Sequence, residues 1–257
     1  RPTQLARNNK MNTQNRLTKL SPQSMARLAG VLYLIIIVLG IWSDAVVRMG
    51  LTVPGAAAST AANILASQGL FRASLAADSI MALADVGLAV LLFILLKPVS
   101  HTLALGAMVF RLTQTAILGM NLLNQHSALM FLNGAGSMVG FDAEQLNTLA
   151  LFFLQAHGFG YDLGLIFFGI NSLLVGFLVF KSDFFPRAIG VLMGGAGVVY
   201  LTGSYLVFLA PAHAEVFAPA YVIPVVAEVS FALWLLVKGV NKEKWAINAQ
   251  APQVQGA

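Results

Sequence analysis

The chain has 257 residues, of which 58% are hydrophobic and 10% are charged, and its formal net charge is +5. Soluble domains carry about 25% charged residues and must cover their surface with polar side chains, so this composition excludes an ordinary soluble protein and indicates a bilayer environment. The absence of cysteine excludes disulfides, thiol chemistry and cysteine-ligated metal sites.

The N-terminal part of the chain changes from polar to apolar at about residue 26. Residues 1–25 are polar and basic without an apolar period, which predicts a disordered cytoplasmic tail. The run LAGVLYLIIIVLGIWSDAVV at 28–47 is about as long as a spanning helix, which needs about 20 residues. A basic stretch before it and the small residues PGAAAS at 54–59 also resemble a secretory signal peptide. The length of the run favours an uncleaved spanning helix.

Further apolar segments predict an all-α integral membrane protein. Five more runs are long enough to span, at 74–96, 102–124, 159–180, 187–210 and 219–238. Short interfacial helices are predicted in the outer loops, one within 51–72 capped by Ser59 or Thr60, and one at 142–157 that ends at Gly158 and Gly160. The prediction is a bundle of six transmembrane helices, or seven if 144–157 inserts more deeply. It forms one domain over 26–240, followed by a cytoplasmic tail at 241–257.

The distribution of basic residues predicts the orientation in the membrane. Six spans place both ends of the chain on one side. If that side is the cytoplasm, twelve of the fifteen Lys and Arg residues lie in cytoplasmic segments; Arg48 and Arg72 lie outside and Arg111 lies within a span. This pattern follows the positive-inside rule. The basic charge is therefore a topological signal, and the expected partner is the lipid bilayer, with no nucleic acid.

Charged side chains inside the spans predict a polar layer in the middle of the bundle. Each costs about 2.5–3.5 kcal/mol on insertion scales, so each must face protein or water. A rise of about 1.5 Å per residue from the inner helix ends places Asp85 about 16 Å, Arg111 about 13 Å and Glu228 about 15 Å deep. Asp85 is therefore expected to pair with Arg111. Glu228 and Asn171 are expected in the same layer.

A second polar layer is predicted nearer the outer surface. Asp78 lies seven residues before Asp85 on the same helix face, among small residues that favour close packing. Gln114 and Asn121 extend a polar stripe along the third span. The outer layer is expected to contain Asp78, Asn121, Asn124, His157 and Asp162. Glycines at 190, 194, 195 and 197 predict a close-packing face on the fifth span.

The balance of charge in the middle layer points to a function. Asp85 and Glu228 around one guanidinium leave a negative charge uncompensated in a medium of low dielectric. Either one carboxyl is protonated, or a cation or a water-filled cavity compensates it. Intramembrane charge usually marks transport, sensing or ligand binding. The alternative is a structural ion pair that only fixes the helix register.

Enzyme motifs are scarce in the sequence. The His-Glu-x-x-His, Gly-x-Ser-x-Gly and phosphate-loop patterns are absent, and the four histidines lack metal-ligand spacing, so no catalytic residue, metal or cofactor is predicted. The stretch HGFGYD at 157–162 has the His-x4-Asp spacing seen in some lipid acyltransferases, with His157 as base. An enzyme is therefore the less favoured class.

Five stretches of the sequence carry a family resemblance. They are ARLAGVLYL (26–34), STAANILASQGLFR (59–72), FRLTQTAILGMNLLN (110–124), GYDLGLIFFGINSLLVGFLVFKSDFFPRAIGVLMGGAGVVYL (160–201) and AEVSFALWLLVKGV (227–240). The chain resembles an uncharacterised multi-pass membrane family known only as domain of unknown function four-three-eight-six. The resemblance implies a bacterial inner-membrane protein and supplies no activity. It draws attention to residues within the stretches: Asn63, Arg72, Arg111, Asn121, Asp162 and Glu228.

Three hypotheses follow for the function. The first is a membrane protein that binds or moves a small solute, ion or proton through a polar intramembrane site. Its candidate ligand residues are Asp85, Arg111, Glu228, Asn171, Gln114, Asp78, Asn121 and Asp162. The second is a non-catalytic subunit or assembly factor of a larger membrane complex, with partner membrane subunits. The third is a membrane-embedded, lipid-modifying enzyme that uses His157 and Asp162.

Overall fold

A computed structural model describes residues 21–134 and 140–250. The tail predictions for 1–20 and 251–257 lie outside the described residues. In chain order the helices are α1 (Pro22–Leu51), α2 (Ala57–Ala66), α3 (Gln68–Leu96), α4 (His101–Leu132), α5 (Ala143–Lys181), α6 (Arg187–Leu209), α7 (Pro211–Val237) and α8 (Lys242–Gln250). Within the described ranges there is no strand, and six helices are long and apolar enough to span a membrane. The all-α, six-span prediction is confirmed.

The six spanning helices form a ring in chain order. Each one packs against the next, and α7 packs against α1 to close the ring. The helices alternate in direction, so Pro22, Leu96, Lys181 and Val237 lie at one end of the bundle. We call this the inner end, after the predicted orientation, and the opposite end the outer end. The arrangement surrounds a central space that side chains must fill.

The inner end of the ring is filled and sealed. Apolar side chains including Leu95, Met193 and Phe231 form a buried cluster there. The Gln23 amide donates to the Lys238 carbonyl at 2.8 Å and accepts from the backbone N–H of Val240 at 3.2 Å, which joins the start of α1 to the end of α7. The indole of Trp245 on α8 donates to the Leu95 carbonyl at 3.0 Å. The inner half of the bundle is therefore apolar and closely packed.

Local sequence explains where the helices begin. The Ser21 side chain accepts a hydrogen bond from the backbone N–H of Ser24, and Pro22 follows it in the first turn. Helix α1 thus starts at Pro22, inside the segment expected to be a tail. Asp142 and Gln145 form a capping box at the start of α5.

Helix α2 confirms the short helix predicted within 51–72, but the predicted caps are wrong. The helix begins at Ala57 without a side-chain cap. The Thr60 hydroxyl instead accepts from the backbone N–H of Val53 at 2.9 Å. It thereby ties the helix to the preceding loop.

The separate helix predicted at 142–157 is wrong, and so is the seven-span alternative for the described residues. Helix α5 runs for 39 residues through Gly158 and Gly160 without a break. Gly160 lies against the Asn121 side chain of α4, where a Cβ atom would collide. The Asn121 amide donates to the His157 carbonyl at 2.8 Å. Gly160 therefore serves close helix contact inside α5, and neither glycine ends the helix.

Helices α4 and α5 extend beyond a bilayer at the outer end. A helix of 39 residues is about 58 Å long and one of 32 residues about 48 Å, against a hydrocarbon thickness of about 30 Å. A small apolar cluster of Ile64, Phe71 and Leu129 joins α2, α3 and α4 at this end. The outer ends of the spanning helices therefore form a small packed layer above the ring.

Glycines allow α5 and α6 to approach closely. A Cβ at Gly190 would lie 2.7 Å from the Gly176 carbonyl oxygen, and one at Gly197 would lie 2.7 Å from the Gly169 carbonyl oxygen. Gly194 has no atom within 4 Å of its Cβ position. The predicted packing face is confirmed at Gly190 and Gly197; Gly194 contributes backbone atoms to the contact with Gly176, although its own Cβ position is open.

Candidate functional site

A buried ion pair joins α3 and α4 in the middle of the bundle. Arg111 donates from Nε and Nη2 to Asp85 Oδ1 at 2.8 and 2.5 Å, and the Thr115 hydroxyl donates to Asp85 Oδ2. Arg111 is 1% exposed and Asp85 is 5% exposed. The predicted pairing of Asp85 with Arg111 is confirmed. Four-residue spacing places Arg111 and Thr115 on one face of α4, so both reach the same carboxylate.

Two aromatic rings hold the Arg111 guanidinium in place. Its central carbon lies 5.2 Å from the centre of the Tyr33 ring and 5.1 Å from that of Phe168. The negative faces of these rings stabilise a cation. Arg111 Nη1 is buried without a hydrogen-bond partner among the described residues. The charge is therefore compensated mainly by Asp85 and the rings.

A cavity of about 440 Å³ lies in the centre of the ring, outward of this ion pair. All six spanning helices contribute to its wall. Its polar lining residues are Asp44, Asp85, Arg111, Gln114, Thr115, Tyr161, Asp162, Tyr200, Tyr221 and Glu228. Most of the remaining lining is apolar, from side chains such as Ile37, Leu165 and Val225. Asp85, Arg111 and Glu228 form the floor, since their positions are the deepest of the charged lining residues.

Glu228 reaches the cavity from α7 and is compensated differently from Asp85. The Tyr200 hydroxyl of α6 donates to Glu228 Oε1. No basic side chain of the described ranges forms an ion pair with Glu228. Glu228 is 9% exposed, and its accessible surface faces the cavity. The second carboxylate of the middle layer is thus held by a neutral donor beside an open space.

Gln114 and Asn171 carry unpartnered polar atoms on opposite sides of Arg111. The Gln114 amide oxygen is buried, lacks a partner among the described residues and belongs to a side chain that lines the cavity. Asn171 lines a small void of about 10 Å³ on the inner side of Arg111, and its amide nitrogen lacks a described partner. Gln114 therefore lies at the cavity wall with an unpartnered acceptor. Asn171, although in the expected layer, is separated from the cavity.

The outer polar residues form a network of their own. Arg48 donates to Asp78 Oδ2 at 2.6 Å and to Asp44 Oδ1 at 3.1 Å, and so links α1 to α3. The Gln125 amide lies 3.4 Å from Asp78 Oδ2 and 2.8 Å from Nε2 of His157. Arg48 lies on a π-helical segment of α1, Trp42–Arg48, a local geometry that is frequent at functional sites.

This network corrects the predicted outer layer. Asn121, Asn124 and His157 do lie together, with Asn124 donating to Asn121 Oδ1 at 2.8 Å. Asp162 does not join them; it lines the central cavity, and the Ser204 hydroxyl lies 3.5 Å from its Oδ1. The reason is angular: positions 157 and 162 lie about 140° apart around α5, given about 100° per residue.

The same angle separates the two residues of the hypothetical lipid enzyme. His157 is buried between α4 and α5 and lines a separate void of about 10 Å³ with Asp78, whereas Asp162 faces the central cavity. The pair does not converge on one pocket. Among the described residues, no three His, Asp or Glu side chains are grouped as metal ligands.

Sequence reasoning missed several residues of the site. The sequence places Arg48 on the outer side of the membrane without a partner, and it does not single out Tyr33, Tyr161, Phe168, Tyr200 or Tyr221. The four-residue spacing of Asp44 and Arg48 was the available signal for one contact. For the aromatic residues there was none, because a ring that lines a cavity and one that faces lipid look alike in sequence. Of the other residues in the familiar stretches, Arg72 is exposed, and Asn63 donates to the Leu51 carbonyl at 3.2 Å.

Comparison with known proteins identifies the family. The profile of the domain of unknown function DUF4386 matches residues 28–239. The chain belongs to the DUF4386 family. The match includes every residue that lines the central cavity, so the cavity lies entirely within the DUF4386 region. A protein of Archaeoglobus fulgidus described only as uncharacterized is 32% identical over 155 residues, which cover 60% of this chain and 76% of that protein. No solved structure matches the chain.

Proposed function

We propose that this protein is a membrane carrier that takes a small solute or ion into its central cavity from the outer end. The observation that carries the proposal is a cavity of about 440 Å³ whose floor holds a carboxylate, Glu228, without a basic partner among the described residues. Uncompensated charge inside a bilayer is costly and is retained where it serves a ligand or a conduction path.

The position of the cavity along the helices favours entry of a solute from the outer end. Counting the helical rise from the inner helix ends, the floor at Glu228 lies about 14 Å up, Asp162 about 28 Å up and Asp44 about 33 Å up. The cavity thus extends from mid-membrane toward the outer end. The inner half below it is a closed apolar cluster.

A carrier accounts for this arrangement better than a channel does. A channel in its conducting state needs a continuous polar path, whereas carriers hold their substrate near the bilayer midplane and open to one side at a time. In such a cycle, a cavity on the outer side of a closed inner half would belong to the outward-open, inward-closed state. Inward opening would require the contacts of Gln23 and Trp245 at the inner end to separate.

The orientation is part of the same proposal. The inner end carries Arg27, Lys97, Lys181, Arg187, Lys238, Lys242 and Lys244. The positive-inside rule assigns this end to the cytoplasm, which would place the protein in a cytoplasmic membrane with its cavity open to the exterior.

Two-sided labelling of single cysteines tests the carrier proposal. The chain contains no cysteine, so each introduced thiol is unique. Ala82 lines the cavity, and Ala107 lies below the floor with 4% of its surface exposed. A membrane-impermeant maleimide should modify Ala82→Cys from the outside of oriented vesicles. It should modify Ala107→Cys slowly and only from the inside, because the inner half opens in part of the cycle.

The results separate the alternatives. Labelling of Ala107→Cys from the inner face supports a carrier. Transport would be contradicted if Ala107→Cys did not react with the maleimide from either face over hours while Ala82→Cys did react. A lack of reaction at both positions would overturn the proposal altogether.

A further inference from the structure

The charges that line the cavity do not balance. Asp85 is paired with Arg111, and Asp44 is paired with Arg48. Glu228 and Asp162 also line the cavity, and neither forms an ion pair with a basic residue of the described ranges. Two carboxylates thus remain for a ligand. A cavity of this charge repels anions and attracts cations.

The wall of the cavity is suited to an organic cation. Four aromatic side chains line it: Tyr161, Phe168, Tyr200 and Tyr221. Phe168 and Tyr200 pack edge to face with ring centres 5.2 Å apart, and Tyr200 and Tyr221 do so at 6.0 Å. Ring faces attract organic cations, most strongly where water is excluded.

A second observation comes from Gln114. Its side chain is 8% exposed and lines the cavity, and its amide oxygen has no hydrogen-bond partner among the described residues. A buried hydrogen-bond acceptor without a partner destabilises the protein, and a ligand that donates a hydrogen bond to it removes this cost. An ammonium group carries N–H donors of the required kind.

A metal ion fits this lining poorly. Ca²⁺ takes six to eight oxygen ligands, and Mg²⁺ needs near-octahedral oxygen coordination. In the described part of the chain no group of three acidic or histidine side chains is placed to ligate a metal. Most of the wall is apolar and cannot replace a hydration shell. Its volume is instead in the range of pockets for small organic molecules.

We propose that the ligand of this cavity is an organic amine cation, with a protonated amino group on an apolar body. The inference rests on the proposed function and names the chemical class of its solute. The amino group binds at the floor, where Glu228 and Gln114 accept its N–H bonds. The apolar body lies against the tyrosines and aliphatic side chains toward the outer end. Asp162 attracts the cation on its way in.

Protection of a cavity thiol tests the ligand class. In outward-facing vesicles carrying Ala82→Cys, the maleimide rate is measured with increasing 4-phenylbutylamine, 4-phenylbutan-1-ol or 4-phenylbutyrate. The three share one scaffold and carry a positive, zero and negative charge. The amine should slow labelling at concentrations at least about tenfold lower than the other two, because its charged hydrogen bonds to Glu228 are absent in them.

Variants identify the residues responsible. In the Ala82→Cys background, Glu228→Gln should raise the amine concentration that is needed to slow maleimide labelling by at least about tenfold. Glu215→Gln is the matched control, since Glu215 is exposed at the outer end and does not line the cavity. Asp162→Asn provides a second test if Glu228→Gln does not fold, with a smaller increase expected.

The outcomes distinguish a failure of the amine inference from a failure of the proposed function. Equal protection by the alcohol, stronger protection by the carboxylate, or protection by none of the three overturns the amine inference while the reactive thiol still shows an open cavity. Amine protection that is unchanged in both Glu228→Gln and Asp162→Asn also overturns it. An unreactive Ala82→Cys instead overturns the proposed cavity function itself.

Discussion

Carboxylates inside this bundle differ in how their charge is compensated. Asp85 receives two guanidinium bonds and a hydroxyl, and Asp78 receives a guanidinium bond from Arg48. Glu228 receives a tyrosine hydroxyl beside an open cavity. Asp85 and Asp78 therefore have charged partners within the bundle, whereas the hydrogen-bond partner of Glu228 is neutral.

The buried ion pair of Asp85 with Arg111 leads to a prediction at the residue scale. Asp85→Ala leaves Arg111 buried without its carboxylate, and removing one partner of a buried pair costs about 3–5 kcal/mol. The double variant Asp85→Leu with Arg111→Met removes both charges and should lose less stability than Asp85→Ala. Thermal unfolding in detergent measures both.

Arg72→Met serves as the control for this experiment, since Arg72 is exposed and its replacement should change stability by about 0.5 kcal/mol or less. An Asp85→Ala variant as stable as the original chain would show that the ion pair does not hold the bundle together.

Sequence alone predicts the contacts that depend on depth along a helix. Asp85 and Arg111 were paired because helical rise places them at similar distances from the inner end. The contact of Arg48 with Asp78 depends on how far α1 is rotated, and the π-helical segment Trp42–Arg48 changes that rotation. Axial counting contains no information on rotation, so this pair and the Tyr200–Glu228 contact could not be predicted.

At the scale of elements, the spans were predictable and their ends were not. An apolar run fixes the part of a helix inside the bilayer, and each of the six predicted runs coincides with a spanning helix to within one residue or lies inside it. Helices α4 and α5 continue beyond it because tertiary contacts at the outer end, such as that of Asn121 with Gly160, support the extra turns. Glycine as a terminator is only a local preference, and these contacts override it.

The glycine contact between α5 and α6 gives a prediction at this scale. An Ala at 190 would place its Cβ 2.8 Å from the Phe180 Cα atom, too close for either helix to accept without moving. Gly190→Ala should therefore lower stability by about 1–3 kcal/mol, as overpacking does. Thermal unfolding in detergent is again the measurement.

Gly194→Ala is the matched control on the same helix. Its Cβ position is open, so the substitution should be neutral or stabilise by up to about 1 kcal/mol through helix propensity. Equal losses in the two variants would show that α5 and α6 do not approach as closely as described.

For the whole molecule, the ring of six helices explains why a cavity exists at all. Consecutive helices pack side by side and the last meets the first, so the centre is filled only by side chains. Large apolar residues fill the inner half. In the outer half, small residues such as Gly40 and Ala82 leave space, and polar groups line it. The ring order was not deducible from six apolar runs, because many packings satisfy the same topology.

Water access to the central cavity is the most direct test of this account. Ala82 and Leu83 are neighbours on α3; Ala82 lines the cavity, while Leu83 is 74% exposed on the apolar outer surface that would face lipid. Thiols react with maleimide as thiolates, which form in water and not in hydrocarbon. In membranes, Ala82→Cys should react at least about tenfold faster than Leu83→Cys. This ratio corresponds to a difference of about 1.4 kcal/mol in the free energy of forming the thiolate at the two positions. Equal rates, or faster reaction of Leu83→Cys, would contradict a hydrated central cavity.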